Sequence, residues 1–464
     1  MPYRPLKYIL LAIMGVLPAM LGAQTPPLPA TLPEDFFPGL RSILLSALQQ
    51  SPQMISHNLD LAAQEANRYE AASAQWPSMG AGTGFGVGQS TNTIRENSLE
   101  RSKVLPSYSY NFSAGQPLYH WGALRAATDI AHLQIQISEH EYAQAYGQLA
   151  ITLRSEYLSL IAQKLQLRNA HLSLDQTKAA VALVDDRFKS AEATADDVTN
   201  AHLGLDDANL SIDRATENFA HAKRVLLLTA GLSELADEAI PDEIPKPIYS
   251  ADIAEALLQD FESVGLHDTF QAQIFDDQIK ESDLNYKIAK YRLYPHVDLA
   301  LGLGQADQSQ VSGHTVSHNQ VLNDSAGVGV SWSLFDGFAT RGAKLGALTA
   351  KRQAERDRQT YLDQTREQAR ESERQLEFSA RAMAIAERRF QFSEEALQRA
   401  KDNFKLHTLS QAGMDQATAN FYQAQAAIFA TRADFLSSWS GYLSLLNVDP
   451  VLNNLSTRFF SHAK

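Results

Sequence analysis

Four groups of residues in this chain have types and spacings that could do chemistry. In Thr194-Ala195-Asp196-Asp197 the spacing is that of a capping box, with Thr194 accepting from the amide at 197 and the Asp197 carboxylate reaching back. Both acids would also suit a helix N-terminus. Recurring around a narrow aperture, the same carboxylates would attract cations and repel anions. The matching stretch of the second half has Gly413 in place of the acid, with Asp415 as a substitute half a turn on. Asp298 interrupts the alternating run HVDLALGLGQ, residues 296–305, as a carboxylate on the bare side of a strand. GAGTGFGVG, residues 80–88, is rich in glycine, but its glycines alternate strictly and do not fit G-x-G-x-x-G, so no nucleotide site is expected. The 13 histidines form no ligand pattern; His132 and His140 stand eight apart without H-E-x-x-H and read as lone surface residues. No nucleophile, base and oxyanion set is visible, and the chain has 0 cysteines, which removes thiol nucleophiles, cysteine metal sites, disulfides and a lipid-modified N-terminal cysteine. The expectation is a protein that is not an enzyme, with no catalytic residue, no cofactor and no metal.

What, then, would position an acidic tip and a carboxylate on a strand? The 464 residues are 44% apolar and 20% charged, an ordinary composition for folded protein. Arg4 and Lys7 precede an apolar run from Tyr8 to Leu21, and Gly22 and Ala23 follow, which is the layout of a secretory signal over residues 1–23. Losing Arg4 and Lys7 takes the formal charge from −13 to −15. Such an acidic chain is a poor partner for nucleic acid, which is bound by neutralising phosphates. No later stretch approaches the ~18 unbroken apolar residues of a transmembrane helix.

The remainder is a duplication. QPLYHWG (116–122) aligns with WSLFDGF (332–338), Leu118 opposite Leu334, and DRFKSAEATADDVTNA aligns with DNFKLHTLSQAGMDQA, Phe188 opposite Phe404; the offset is 216 in both. The first repeat covers 24–232 and the second 251–448. Between them runs a connector, 233–250, whose Pro241, Pro245 and Pro247 cannot continue a helix, and residues 449–464 form a tail. Each repeat reads as helix, strand, polar loop, strand, very long helix, turn, helix. The long segments, about 123–189 and 341–406, lack proline and could each run ~100 Å at 1.5 Å per residue. Their apolar stripe is narrow and rich in alanine, as in Leu345, Leu348, Ala354, Leu362, Ala369, Leu376, Ala380, Met383, Leu397 and Ala400. Such helices meet neighbours along thin seams and leave broad wet faces.

Four strands, about 79–88, 107–115, 296–305 and 325–334, put apolar or aromatic residues at one parity and Gly, Ser or Asn at the other. A sandwich sheet also alternates, but each of these has the ~9–11 residues that a tilted strand needs to cross a bilayer. Trp76, Tyr294, Trp332, Phe335, Tyr119 and Trp121 stand at the strand ends, where interfacial aromatic belts sit. Val297, Leu299, Leu301, Leu303, Val328 and Val330 are therefore expected to face lipid and Asp298 a water-filled pore. Four strands cannot close, and open edges are not tolerated in hydrocarbon, so several chains must contribute; three copies give twelve strands and a lumen wide enough to continue a helical tube. The helices then lie on one side of the membrane, and loops at 89–106 and 306–324 project from the other.

This arrangement resembles the TolC-like outer membrane efflux proteins. The residues that carry the likeness are the duplicated helix, hairpin, helix plan, WSLFDGF with its counterpart LYHWG, and the turns RFKSAEATADDVTNA and NFKLHTLSQAGMDQA. The resemblance implies a mainly α fold with a small β part: a homotrimer in the outer membrane of a Gram-negative bacterium, with a 12-stranded transmembrane barrel continued by a periplasmic α-barrel. It further implies service as the exit duct of a tripartite efflux pump or type I secretion system, with a periplasmic adaptor (membrane fusion) protein and an inner-membrane transporter as partners and outer membrane lipid around the barrel. The chain departs from the family at its turns, having Ala191 and His407 where a glycine is frequent, and Gly413 where the first repeat has Asp197. The alternative is a periplasmic coiled-coil scaffold or adaptor without a barrel, which would leave the four strands unexplained.

Overall fold

The computed structural model describes residues 32–94, 99–312 and 315–455. Residues 1–31, which include the expected secretory signal, and residues 95–98, 313–314 and 456–464 lie outside the described residues. The first repeat comprises α1 (Pro33–Phe36), α2 (Pro38–Gln50), α3 (Pro52–Ser73), β1 (Ser78–Ile94), β2 (Leu99–Tyr119), α4 (Ala123–Lys189) and α5 (Ala195–Ala230). The second comprises α6 (Ala251–Ser263), α7 (Phe270–Tyr291), β3 (His296–Ser312), β4 (Thr315–Ser331), α8 (Ala339–Lys405) and α9 (Gln411–Leu445). Helices α4 and α8 have 67 residues each, ~100 Å of continuous helix, as the absence of proline predicts.

The duplication extends to the backbone itself. Positive φ occurs at Trp121, Gly122, Ala191 and Gly231, and again at Gly337, Phe338, His407 and Asn447, each 216 residues on. At all four helix ends the chain turns off through the same pair of bonds. The amide of Glu192 reaches the carbonyl of Arg187 at 2.7 Å and that of Thr408 the carbonyl of Asn403 at 3.0 Å, while Leu232 and Val448 bond to Leu227 and Leu443. These are Schellman caps, which require one residue in the left-handed region. Where the family resemblance points to glycine, Ala191 (φ 56°) and His407 (φ 57°) adopt that conformation without being glycine.

Two cores hold the helices. One gathers Leu40, Leu44, Tyr146, Leu149, Leu153, Tyr157 and Ile161 around the middle of α4 with Ile428 and Leu436 of α9. The other joins α6 to α8 and α9 through Phe261, Leu362, Leu376, Phe435 and Trp439. The proline-rich connector is pinned rather than loose: Ile240 and Ile244 are buried, Lys164 donates to the Ile240 carbonyl and Arg432 donates to the Ile244 carbonyl at 2.7 Å. The tail also joins the first core as far as Leu455. Of the expected stripe on α8, Leu362, Ala369, Leu376, Ala380, Met383, Leu397 and Ala400 are buried, whereas Leu345 and Leu348, nearest the sheet, stay exposed on the single chain.

The strands form one antiparallel sheet in the order β1-β2-β3-β4, the repeats being joined by the β2 to β3 pairing. Both hairpins run well beyond the expected strands, so most of 89–106 and 306–324 is ladder rather than loop. The alternating polar residues there keep the same antiparallel register after the apolar face has ended, because register needs only continued backbone pairing.

Candidate functional site: a two-faced sheet and a helical tip

The pairing register decides which residues share a face, since directly opposed residues point the same way. Val297 opposes Val330, Leu299 opposes Val328, Leu301 opposes Ala326, and across β2 Leu303 opposes Phe112 and Leu301 opposes Ala114. Phe112 in turn opposes Ala81 and Tyr108 opposes Phe85. One face of the whole sheet is thus apolar and aromatic; Leu301, Leu303, Val328, Val330, Phe85 and Val87 are exposed on the single chain, and Val297 and Leu299 are half-buried. A soluble protein rarely leaves so large a contiguous apolar surface open. The polar groups on this face include Tyr110, which donates to the Gln305 side chain at 2.7 Å, Thr83 opposite it, Gln116 opposite Leu299, and Asp324 beside Leu303.

The opposite face is nearly bare. Gly80, Gly82, Gly84 and Gly86 oppose Ser113, Asn111, Ser109 and Ser107, and Gly302 opposes Ser325. A Cβ on Gly82 would meet the Asn111 Oδ1 at 2.8 Å and one on Gly302 would meet the Ser325 Oγ at 2.9 Å. Each cross-strand pair therefore has room for one small polar side chain, which leaves this face short-sided and polar. Asp298 lies at a position on this face, as its parity predicts, and its Oδ1 is 2.8 Å from Nε2 of His120. The ring of His120 stacks on His296 with centroids 4.7 Å apart.

Below the sheet several of the aromatic residues at the strand ends pack together. Trp121 packs on Tyr119 and Tyr294 and donates its indole N–H to the Pro295 carbonyl at 2.8 Å; Trp332 donates to the Leu293 carbonyl at 3.0 Å. Asp336 holds the start of α8 by accepting from the Thr340 hydroxyl at 2.6 Å and from its amide at 2.8 Å, and these hydrogen bonds, the hydroxyl's above all, keep its carboxyl below the usual range. Its counterpart 216 residues earlier is His120, so the cap of one repeat has become the partner of Asp298 in the other.

At the far end, Thr194 and Asp197 form the predicted capping box. Thr194 Oγ1 accepts from the Asp197 amide at 3.2 Å, and the Asp197 carboxylate accepts from the Thr194 amide at 2.8 Å and its hydroxyl at 2.7 Å. The backbone bond from Thr194 is the main cause of the lowered Asp197 pKa. Asp196 lies exposed beside it. At the second tip Ser410 accepts from the Gly413 amide at 3.3 Å, but glycine returns nothing, and a Cβ there would lie 2.6 Å from Leu409. Asp415 accepts from Gln411 at 2.8 Å.

Three features escaped the sequence. His120 could have been found from its alignment with Asp336. His140, expected at the surface, is buried, with Nε2 3.9 Å from Asp277, because α7 packs over that part of α4; His132 is exposed as expected. Arg154 is wholly buried and donates to Glu34 of α1 at 2.9 Å and to Asp449 at 2.9 Å. Burial opposes its charge, but the bonds and charges of Asp449 and Glu34 prevail and raise its pKa. No residue spacing announces a cluster drawn from positions 34, 154 and 449. Among the described residues no group of His, Asp or Glu could hold a metal ion, and no helix is long and apolar enough to cross a membrane.

A four-stranded sheet with one greasy face and two open edges, borne on ~100 Å helices, defines a protomer of a membrane channel. Residues 43–232 match the family model of the outer membrane efflux proteins. The fold is similar to that of the outer-membrane channel OprN (TM-score 0.66, 17% identity, 91% of this chain and 93% of that one). It is equally similar to the CmeC outer membrane channel of Campylobacter jejuni (TM-score 0.65, 14% identity, 92% of each chain). A stretch of 107 residues is 31% identical to the pyoverdine export outer membrane protein OpmQ of Pseudomonas putida, covering 23% of this chain and about a fifth, 22%, of that relative's length. Over residues 43–232 the chain thus resembles the outer membrane efflux proteins, and its fold is that of solved outer-membrane channels, which places it in the outer membrane.

Proposed function

We propose that three copies of this chain form the exit duct of a tripartite efflux pump or a type I secretion system. Substrates would pass through it without chemistry, from a periplasmic adaptor and inner-membrane transporter to the exterior. The observation that carries this reading is the division of the sheet into an apolar and a small polar face while β1 and β4, of 17 residues each, remain as edges. In hydrocarbon each unpaired amide costs several kcal/mol, so β1 of one copy must pair with β4 of the next. Exposed Leu345 and Leu348 at the top of α8 would meet the neighbouring copy in the same ring. The relative OpmQ is described as a pyoverdine export protein, which makes pyoverdine one candidate cargo. The test is to wash outer membranes with carbonate and to weigh the detergent-extracted protein. Retention in the membrane with a mass of three chains is expected; release by the wash as a single or double coiled coil would favour the scaffold reading.

In the trimer, Asp196 and Asp197 with Asp415 would recur around the periplasmic aperture and favour cations there. Asp197 serves its cap at the same time, so removal of both acids tests the two roles together. Asp196→Ala with Asp197→Ala should lower cation preference and weaken block by divalent cations in planar bilayers. A loss of thermal stability with selectivity intact would leave the cap alone.

A further inference from the structure

The small-residue face of the sheet is almost free of charge. Over residues 78–88, 105–117, 296–306 and 321–331, Asp298 is the one Asp, Glu, Lys or Arg at a position on that face; Asp324 falls on the other. The Asp298 side chain is 44% exposed and that of His120 20% exposed, with 2.8 Å between Oδ1 and Nε2. The pair is not duplicated. The residue matching His120 is Asp336, engaged at the start of α8, and that matching Asp298 in the first strand is Gly80. The other ionisable groups near it are His296, stacked on His120; Lys287 of α7, whose ammonium lies 3.8 Å from where a Cβ on Gly122 would be; Arg292 at the end of α7, which lines one cavity with His296; and Lys290, turned away over the ring of Tyr291 at 5.6 Å.

We propose that the Asp298–His120 pair sets the ion preference of the barrel at its inner mouth. The inference rests on the trimeric duct proposed above, in which three such pairs ring the lumen. With a neutral imidazole each pair carries one net negative charge and the mouth favours cations; an imidazolium cancels it. Imidazole is the side chain suited to change charge between pH 5 and 8. Within those spans the face has no other fixed charge, Arg101 and Lys103 taking positions of the same parity only at the far end of β2, and a low-dielectric wall strengthens what charge there is, so the protonation state of three imidazoles has a large share of the field at this mouth.

Reversal potentials across a potassium chloride gradient in planar bilayers, measured at pH 8 and pH 5, test this. The wild type should be cation-preferring at pH 8 and severalfold less so at pH 5. Asp298→Asn should begin at pH 8 from the weak preference that the wild type shows at pH 5 and move towards anions at pH 5, because its imidazolium is then uncompensated. His120→Gln should keep the pH 8 preference and lose most of the change on acidification, which separates the pair from other carboxylates of the channel. Wild-type slope retained in His120→Gln, or the wild-type preference at pH 8 retained in Asp298→Asn, overturns the proposal. Absence of any channel from the wild-type protein would count instead against the duct, so the two failures are distinct.

Discussion

At the scale of single residues, the buried ion cluster and the apolar face of the sheet make opposite demands. Arg154 is held by two carboxylates, Glu34 and Asp449, that are themselves almost wholly buried, and through them it ties both ends of the chain to the middle of α4. Removing the guanidinium would leave two buried carboxylates without their counterion, so Arg154→Met should cost about 3–5 kcal/mol. The loss is expected as a lower midpoint in urea for the assembled protein. Adding Glu34→Gln and Asp449→Asn should recover much of it, whereas no recovery would mean that packing of the long side chain matters more than its charge. On the sheet, Leu301→Arg at mid-strand should cost about 2–4 kcal/mol and impair insertion. Gly302→Ser on the other face should be mild, because it asks only that the Ser325 hydroxyl move. Equal tolerance of the two would contradict the assignment of faces.

The elements were largely legible in the sequence, and the reason is physical. Period-two strands, proline-free helices and a 216-residue offset are local or repetitive signals, and they placed β3 from His296 and α4 from Ala123 to Lys189 with little error. The capping box at Thr194 was equally local. What was not legible arose from chain-distant pairing: the extension of the hairpins, the burial of His140 under α7, the pinning of the connector and the His120 partner of Asp298. The tips show a further element-level cost. A left-handed conformation disfavours residues with a Cβ by about 1–2 kcal/mol, partly offset by the greater freedom that glycine has when unfolded. Ala191→Gly and His407→Gly should therefore each steady the tip by about 0.5–1 kcal/mol, read as slower hydrogen exchange at the last turns of α4 and α8. Faster exchange would show that these side chains hold the tip by contacts. The lowered Asp197 pKa also has a direction: its cap contributes stability above the ordinary carboxyl value of 3.8, and this is lost as the pH falls through the lower folded value.

For the whole molecule, the sheet and the helices explain one another. Helices with thin apolar seams can form a wide wet tube only if something closes them into a ring, and a sheet with two bare edges can sit in lipid only if neighbours close it. Three copies meet both needs at once, and the small residues of the inner face keep the lumen open. The chain has 0 cysteines, so a cysteine placed anywhere is unique. The most direct test of the account is to introduce one at each position from 297 to 304 in turn and label it in intact outer membranes with a water-soluble thiol reagent, and separately with a lipid-soluble one. The account predicts strict alternation: 298, 300, 302 and 304 react from water, and 297, 299, 301 and 303 react from the bilayer. Water-soluble labelling at both parities would contradict it, and with it the reading of this protein as a membrane duct.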